Sequence, residues 1–142
     1  MGRSYCFECS KCGYRAIVSG GMDRGVQFWV QTVHCLDCRA LHDALTRLKA
    51  ADERTLGGLH KTSGIASQPG IHIHRYQGPP PTFAEALGRL QTKGTKRSRW
   101  VQFGLHCPVS KNHHVQAWND PGKCPRCGAF LEKSSLPYRL WD

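Results

Sequence analysis

Two periodicities divide the first fifty residues. From Val26 to Val33 apolar and polar positions alternate with period two, the mark of a half-buried strand. An earlier apolar run, Tyr14 to Val18, is separated from it by the turn-rich Ser19-Gly-Gly-Met-Asp-Arg-Gly25. The two runs predict an antiparallel hairpin. From Asp37 the period changes: Leu41, Ala44, Leu45 and Leu48 recur at helical spacing, and Asp37 suits the cap position. This predicts a helix whose apolar stripe covers one face of the hairpin.

Residues 54 to 81 are rich in Gly, Ser and Pro and read as a linker with one short strand. In that strand His72 and His74 share one face, a geometry open to metal. With no acid or cysteine nearby, they read as surface histidines beside the buried Ile71 and Ile73. Thr82-Phe-Ala-Glu85 is a capping box, and Phe83, Ala86, Leu87 and Leu90 give a second helix its apolar stripe. Trp100, Phe103 and Leu105 then mark a strand of a C-terminal module. The expected organisation is an N-terminal module over 1–53, a linking region over 54–99 and a C-terminal module over 100–142.

Modules this small rarely stand on apolar burial alone, and eight cysteines in 142 residues supply the missing staples. The chain shows neither a signal-peptide pattern nor an apolar run of membrane-spanning length. That favours a cytoplasmic location, where thiols stay reduced and repeated CxxC pairs bind zinc rather than form disulfides. A redox CxxC would open a helix in a βαβ pattern, and no such pattern occurs.

Cys6, Cys9 and Cys12 offer two overlapping CxxC pairs at the N-terminus. A metal knuckle turns sharply beyond its second cysteine, and glycine tolerates the positive φ this favours. Gly13 follows Cys12, whereas Ser10 follows Cys9. The ligands are therefore expected to be Cys9 and Cys12, brought by the hairpin onto Cys35 and Cys38, with Cys6 a half-buried thiol on the strand leading in.

The C-terminal module repeats the pattern with a gap. Cys124-Pro-Arg-Cys127-Gly128 is a complete knuckle, but upstream Ser110 stands where a partner of Cys107 is expected. A histidine must complete the set. His106 is strained by adjacency to Cys107, leaving His113 and His114, of which His113 is preferred. The second set is then Cys107, His113, Cys124 and Cys127, for two Zn²⁺ per chain.

The segments CxxCGYxxxVSGG, QTVxCxDC and CPxxxxHxVxxWxxPxxCPxCG resemble the zinc-ribbon superfamily, and in particular small bacterial proteins carrying two such ribbons. The resemblance spans roughly residues 5 to 45 and 100 to 133. It implies a small metal-stapled α+β fold: two zinc-ribbon β-hairpin modules with two short helices between them. It implies structural zinc and leaves the function open, since ribbons serve many machines.

Charge narrows that choice. The formal charge is +10, and seven thiolates with two Zn²⁺ leave it at about +7. Between Glu53 and Asp120 the only acid is Glu85, against nine lysines and arginines, which suits nucleic acid or an acidic protein surface. Lys93, Lys96, Arg97 and Arg99 precede Trp100, so phosphate contacts and base stacking are both available there, with Trp29 on the glutamine-bearing hairpin face as a second stacking residue. Trp100 also fits a core position of the second ribbon. Nucleic-acid binding is thus the expected function, with a protein adaptor docking through ribbon edges as the alternative. Catalysis is disfavoured: four protein ligands fill each site, and Glu8, Asp23, Glu85 and Asp120 form no paired motif.

Overall fold

A computed structural model describes residues 1–50, 74–75, 79–89 and 99–142. In chain order the elements are β1 (Gly2–Glu8), β2 (Arg15–Val18), β3 (Met22–Arg24), β4 (Phe28–Cys35), β5 (Ala40–Ala50), β6 (His74–Arg75), α1 (Phe83–Arg89), β7 (Arg99–Gln102), β8 (Val115–Ala117), β9 (Glu132–Lys133) and β10 (Arg139–Trp141). They form two sheets. One carries the order β10-β1-β2, with β9 also on β1; the other runs β3-β4-β5-β7-β6, with β8 also on β4. All pairings are antiparallel except β6 with β7.

This arrangement corrects the expected fold of two ribbon hairpins separated by two helices. Among the described residues α1 is the one helix, and the segment expected to form the first helix is the long strand β5. The cause lies in a bulge. Val30 pairs with Leu45 and Trp29 with Arg47, so Thr46 is an extra residue on β5. Leu41, Asp43 and Leu45 point to one face at period two, and the extra residue shifts the phase so that Leu48 joins them opposite Phe28. A bulged strand therefore reproduces the spacing of a helical stripe. Asp37 caps no helix; its carboxylate accepts the backbone N–H of His114 at 2.7 Å.

The expected hairpin is also re-paired. β2 joins β1, with Tyr5 opposite Val18 and Phe7 opposite Ala16, while β4 lies between β3 and β5. β1 presents Tyr5 and Phe7, β-prone residues with an apolar side to bury, and so competes successfully for β2. The capping box does form: Thr82 N–H donates to Glu85 at 2.7 Å and Glu85 N–H to Thr82 Oγ1 at 3.3 Å. The expected strand at residues 71–74 falls largely outside the described residues.

Each core draws on both ends of the chain. Phe28, Val30, Leu45 and Leu48 pack with Ala86, Val101, Phe103 and Trp141. Trp141 stacks on Phe28 with ring centroids 4.5 Å apart, and Phe83 meets both edge-on. The second cluster joins Phe7, Tyr14, Val18 and Leu41 to Trp118 and Leu131.

Between the cores lies a buried polar hub. The Asp43 carboxylate on β5 accepts hydrogen bonds from Ser19 N–H at 3.0 and 2.9 Å, from Ser19 Oγ at 3.0 Å and from Thr32 Oγ1 at 2.7 Å. Thr32 Oγ1 in turn accepts the N–H groups of Gly20 and Gly21. The turn after β2 is thereby tied to the centre of the second sheet.

Candidate metal centres and a cationic sheet face

The eight ligands expected from sequence converge in two groups of four, but in a different partition. Cys9 and Cys12 meet Cys124 and Cys127; Cys35 and Cys38 meet Cys107 and His113. Within each group all donor atoms lie within 4.8 Å of one another. The expectation that each end of the chain closes its own site is thus corrected. The turn after β1 faces the turn before β9, and the β4–β5 turn faces the loop between β7 and β8. The re-pairing of β2 explains this, because Cys9 and Cys12 travel with β1 and β2 into the first sheet, away from Cys35 and Cys38 on the second.

The geometry fits a tetrahedral ion. Four sulfurs at about 2.3 Å from a metal are about 3.8 Å apart, and a nitrogen–sulfur edge is about 3.6 Å. Cys9 and Cys127 sulfurs are 3.4 Å apart, and those of Cys12 and Cys124 are 3.7 Å apart. In the second group, Cys38 Sγ lies 3.7 Å from Cys107 Sγ, and His113 Nδ1 lies 3.6 and 3.3 Å from the sulfurs of Cys35 and Cys38.

The first group is built from two matching turns. Cys9 N–H donates to Tyr14 O and Gly13 N–H to Cys9 O; Cys124 N–H donates to Ala129 O and Gly128 N–H to Cys124 O. Gly13 and Gly128 both have positive φ, 73° and 77°. The glycine after Cys12 thus marks the working pair as sequence reasoning expected, and Cys6 lies on β1 outside both groups. In the second group the equivalent position is Arg39, a non-glycine residue at φ 52°. Backbone amides turn onto the sulfurs in both groups: Cys38 N–H donates to Cys35 Sγ at 3.3 Å and Val109 N–H to Cys107 Sγ at 3.4 Å in the second, and Arg126 N–H to Cys124 Sγ at 3.4 Å in the first.

The three candidate histidines separate clearly. His113 points Nδ1 into the second group. The His114 side chain is exposed beside Asp37, and His106 Nδ1 lies 2.8 Å from Gly104 O. Pairing of β8 with β4, which sets Val115 opposite Cys35, places His113 two residues before the start of β8 and against the Cys35–Cys38 turn.

The thiols respond unequally to this crowding. The Cys12 amide, with smaller help from Lys11, holds Cys9 down to about 7, whereas burial and the neighbouring Cys35 and Cys107 push Cys38 up to about 12. Binding a dication requires thiolates, so filling either site releases protons and weakens as pH falls. With four protein donors per group, neither leaves a coordination position for a substrate.

The second feature is one face of the larger sheet. Arg24, Trp29, Arg47 and Gln102 stand in register across β3, β4, β5 and β7. Both guanidinium carbons lie 4.4 Å from the centre of the Trp29 ring, and Trp100 sits 5.8 Å from it. Lys49 pairs with Trp100 in the adjacent row. None of these six positions is acidic.

Of the residues expected to contact nucleic acid, Trp100 lies on this face and is 39% exposed, rather than buried in a second-ribbon core. Arg99 begins β7 opposite Ala50, while Lys93, Lys96 and Arg97 lie outside the described residues. Sequence reasoning missed Arg24 and Arg47. Their signal was present only in register: Arg47 falls beside Trp29 only when β5 is read as a strand with its bulge at Thr46.

No helix among the described residues is long and apolar enough to cross a membrane. No family model, curated protein or solved structure matches the chain.

Proposed function

We propose that the chain is a nucleic-acid-binding protein, of zinc-ribbon type in its knuckles, with two structural Zn²⁺. The observation that carries the binding reading is the acid-free row Arg24–Trp29–Arg47–Gln102, with Lys49 and Trp100 beside it. Cations on a flat strand surface neutralise phosphates, and the chain's net charge, +10 formally and about +7 with two Zn²⁺ bound, draws a polyanion toward them. Zinc is supported by the donor chemistry: one all-sulfur set and one three-sulfur, one-nitrogen set, each of tetrahedral size.

The metals serve this face indirectly. The Cys35–Cys38 turn joins β4 to β5, the two strands that hold Trp29 and Arg47 next to each other. Closing that turn onto Cys107 fixes the central hairpin of the platform. Lys93, Lys96 and Arg97 precede β7 in the chain.

The test combines elemental analysis with a binding titration at several salt concentrations. Two zinc per chain and an affinity that falls linearly in log–log form are expected. Neutralising Arg24 and Arg47 to glutamine should weaken binding while leaving the zinc in place. Absence of binding at low salt would overturn the reading.

A further inference from the structure

We infer that the nucleic acid taken by this face is single-stranded, with an unpaired base stacked on Trp100 and its phosphates on Arg24 and Arg47. The inference rests on the nucleic-acid reading above and specifies the form of the ligand.

Trp100 is 39% exposed and leans on Trp29 outside the buried clusters, which leaves part of its ring open to a flat partner. Bases in a duplex have both faces covered by their neighbours. A single strand offers bare faces, and stacking on aromatic side chains is how strand surfaces hold it without reading sequence.

Trp29 has a different part. Arg24 and Arg47 lie over its ring, each at 4.4 Å, so cation–π attraction holds both guanidiniums at the platform surface. A guanidinium held by its face still has N–H groups along its edge, which suit phosphate oxygens in a bidentate fork. Two ordered cations therefore flank Trp29, and Trp100 offers a base its stack on β7, one strand beyond Arg47. The backbones of Arg24 and Arg47 stand two strands apart, roughly 9.6 Å from strand spacing alone, and their guanidinium carbons, each 4.4 Å from the same ring centre, lie closer together than that.

Lys49, opposite Trp100 on the neighbouring strand, adds a third cation on the far side of Arg47. An acidic peptide would satisfy the cations and leave the indole unused. A duplex would do the same. A single strand uses both kinds of group.

The test uses the full chain with both metals confirmed by elemental analysis. A short labelled oligothymidine, the corresponding duplex and poly-L-glutamate are titrated by fluorescence anisotropy. Oligothymidine should bind about ten-fold or more tighter than either alternative. Trp100→Leu should weaken it by about ten-fold with its salt slope unchanged, and Trp100→Phe should restore most of the loss, which a purely structural role would not predict. Arg24→Gln with Arg47→Gln should flatten the log–log salt slope by about 1.4. Thermal melting and zinc content of each variant confirm that the fold is retained.

Equal affinity for duplex and single strand, together with a harmless Trp100→Leu, would overturn the single-strand inference and leave nucleic-acid binding standing. Poly-L-glutamate binding as tightly as oligothymidine, or no binding of either nucleic acid, would overturn both.

Discussion

The sulfurs of Cys9 and Cys127 lie 3.4 Å apart although 118 residues separate them in the chain. The first metal site is therefore a clasp between the two ends of the protein. The second is another, joining Cys38 to Cys107 across 69 residues. Loops of this length are costly to close without a staple, so a metal ion held at either candidate site would couple its binding to folding.

The partition of ligands gives the first expected outcome. Cys9→Ser and Cys127→Ser should each remove the same metal ion, and the double variant should lose no more than either single. Cys9→Ser combined with Cys35→Ser should lose both ions. Cobalt substitution reports which site remains, since one has four sulfurs and the other three sulfurs with a nitrogen. Cys6→Ser should retain both ions. Loss of a single ion from the Cys9/Cys35 double variant would restore the end-by-end pairing that sequence alone suggests.

Gly13 and Gly128 make a second case. An added Cβ at either glycine meets nothing within 4 Å, so a clash is absent and the positive φ alone opposes substitution. Left-handed backbone costs an ordinary residue roughly 1–2 kcal/mol, partly offset by a stiffer unfolded chain. Gly13→Ala and Gly128→Ala should each lower stability by about 1 kcal/mol and keep the metal. A loss several times larger in denaturant titrations would show that the turn tolerates no side chain for another reason.

What the sequence carried and what it hid follow from the range of each signal. A CxxC-Gly turn is local: five residues contain its geometry, so Cys9, Cys12, Cys124, Cys127 and the spare Cys6 were readable. Which turn meets which is decided by strand pairing, and nothing in the turn encodes a partner more than a hundred residues away. The helix at residues 83–89 was legible because Thr82 and Glu85 cap it within one turn. The strand at 40–50 was not, because the bulge at Thr46 moves Leu48 onto the face of Leu41 and Leu45 and so imitates a helical stripe. The same misreading concealed the cationic face, since Arg47 joins Trp29 only when its segment is extended.

Asp43 supplies a prediction from burial. Asp43→Ala leaves Ser19 N–H, Ser19 Oγ and Thr32 Oγ1 without their acceptor, and should cost roughly 2–4 kcal/mol in chemical denaturation. Burial raises the Asp43 carboxyl above its ordinary value of 3.8, against the opposing pull of Thr32 and Ser19. The sign follows: between 3.8 and the raised value the folded chain holds the extra proton, so this residue's contribution to stability falls as pH rises through that window. The wild-type advantage over Asp43→Ala should therefore be larger below the window than above it. An advantage that grows as pH rises would mean that the three donors outweigh burial.

Metal removal tests how far the two ends depend on each other. Phe7 and Val18 pack with Trp118 and Leu131, and Phe28 and Leu48 pack with Val101 and Trp141, so each core needs residues from both ends. Each metal site likewise takes a turn from one end and a turn from the other. Withdrawing either ion loosens a turn of one sheet, and the shared cores pass the loss to the other: the first opens the β1–β2 turn of the smaller sheet, and the second opens the β4–β5 turn at the centre of the larger one. A chelator titration followed by circular dichroism and by zinc release should therefore show the two sheets lost in a single transition. Self-sufficient ribbons at the two ends would instead melt in two steps, one for each ion, and the near-ultraviolet signals of Trp118 and Trp141, which sit in different cores, would separate. Two resolved steps would thus overturn the clasp in favour of independent modules.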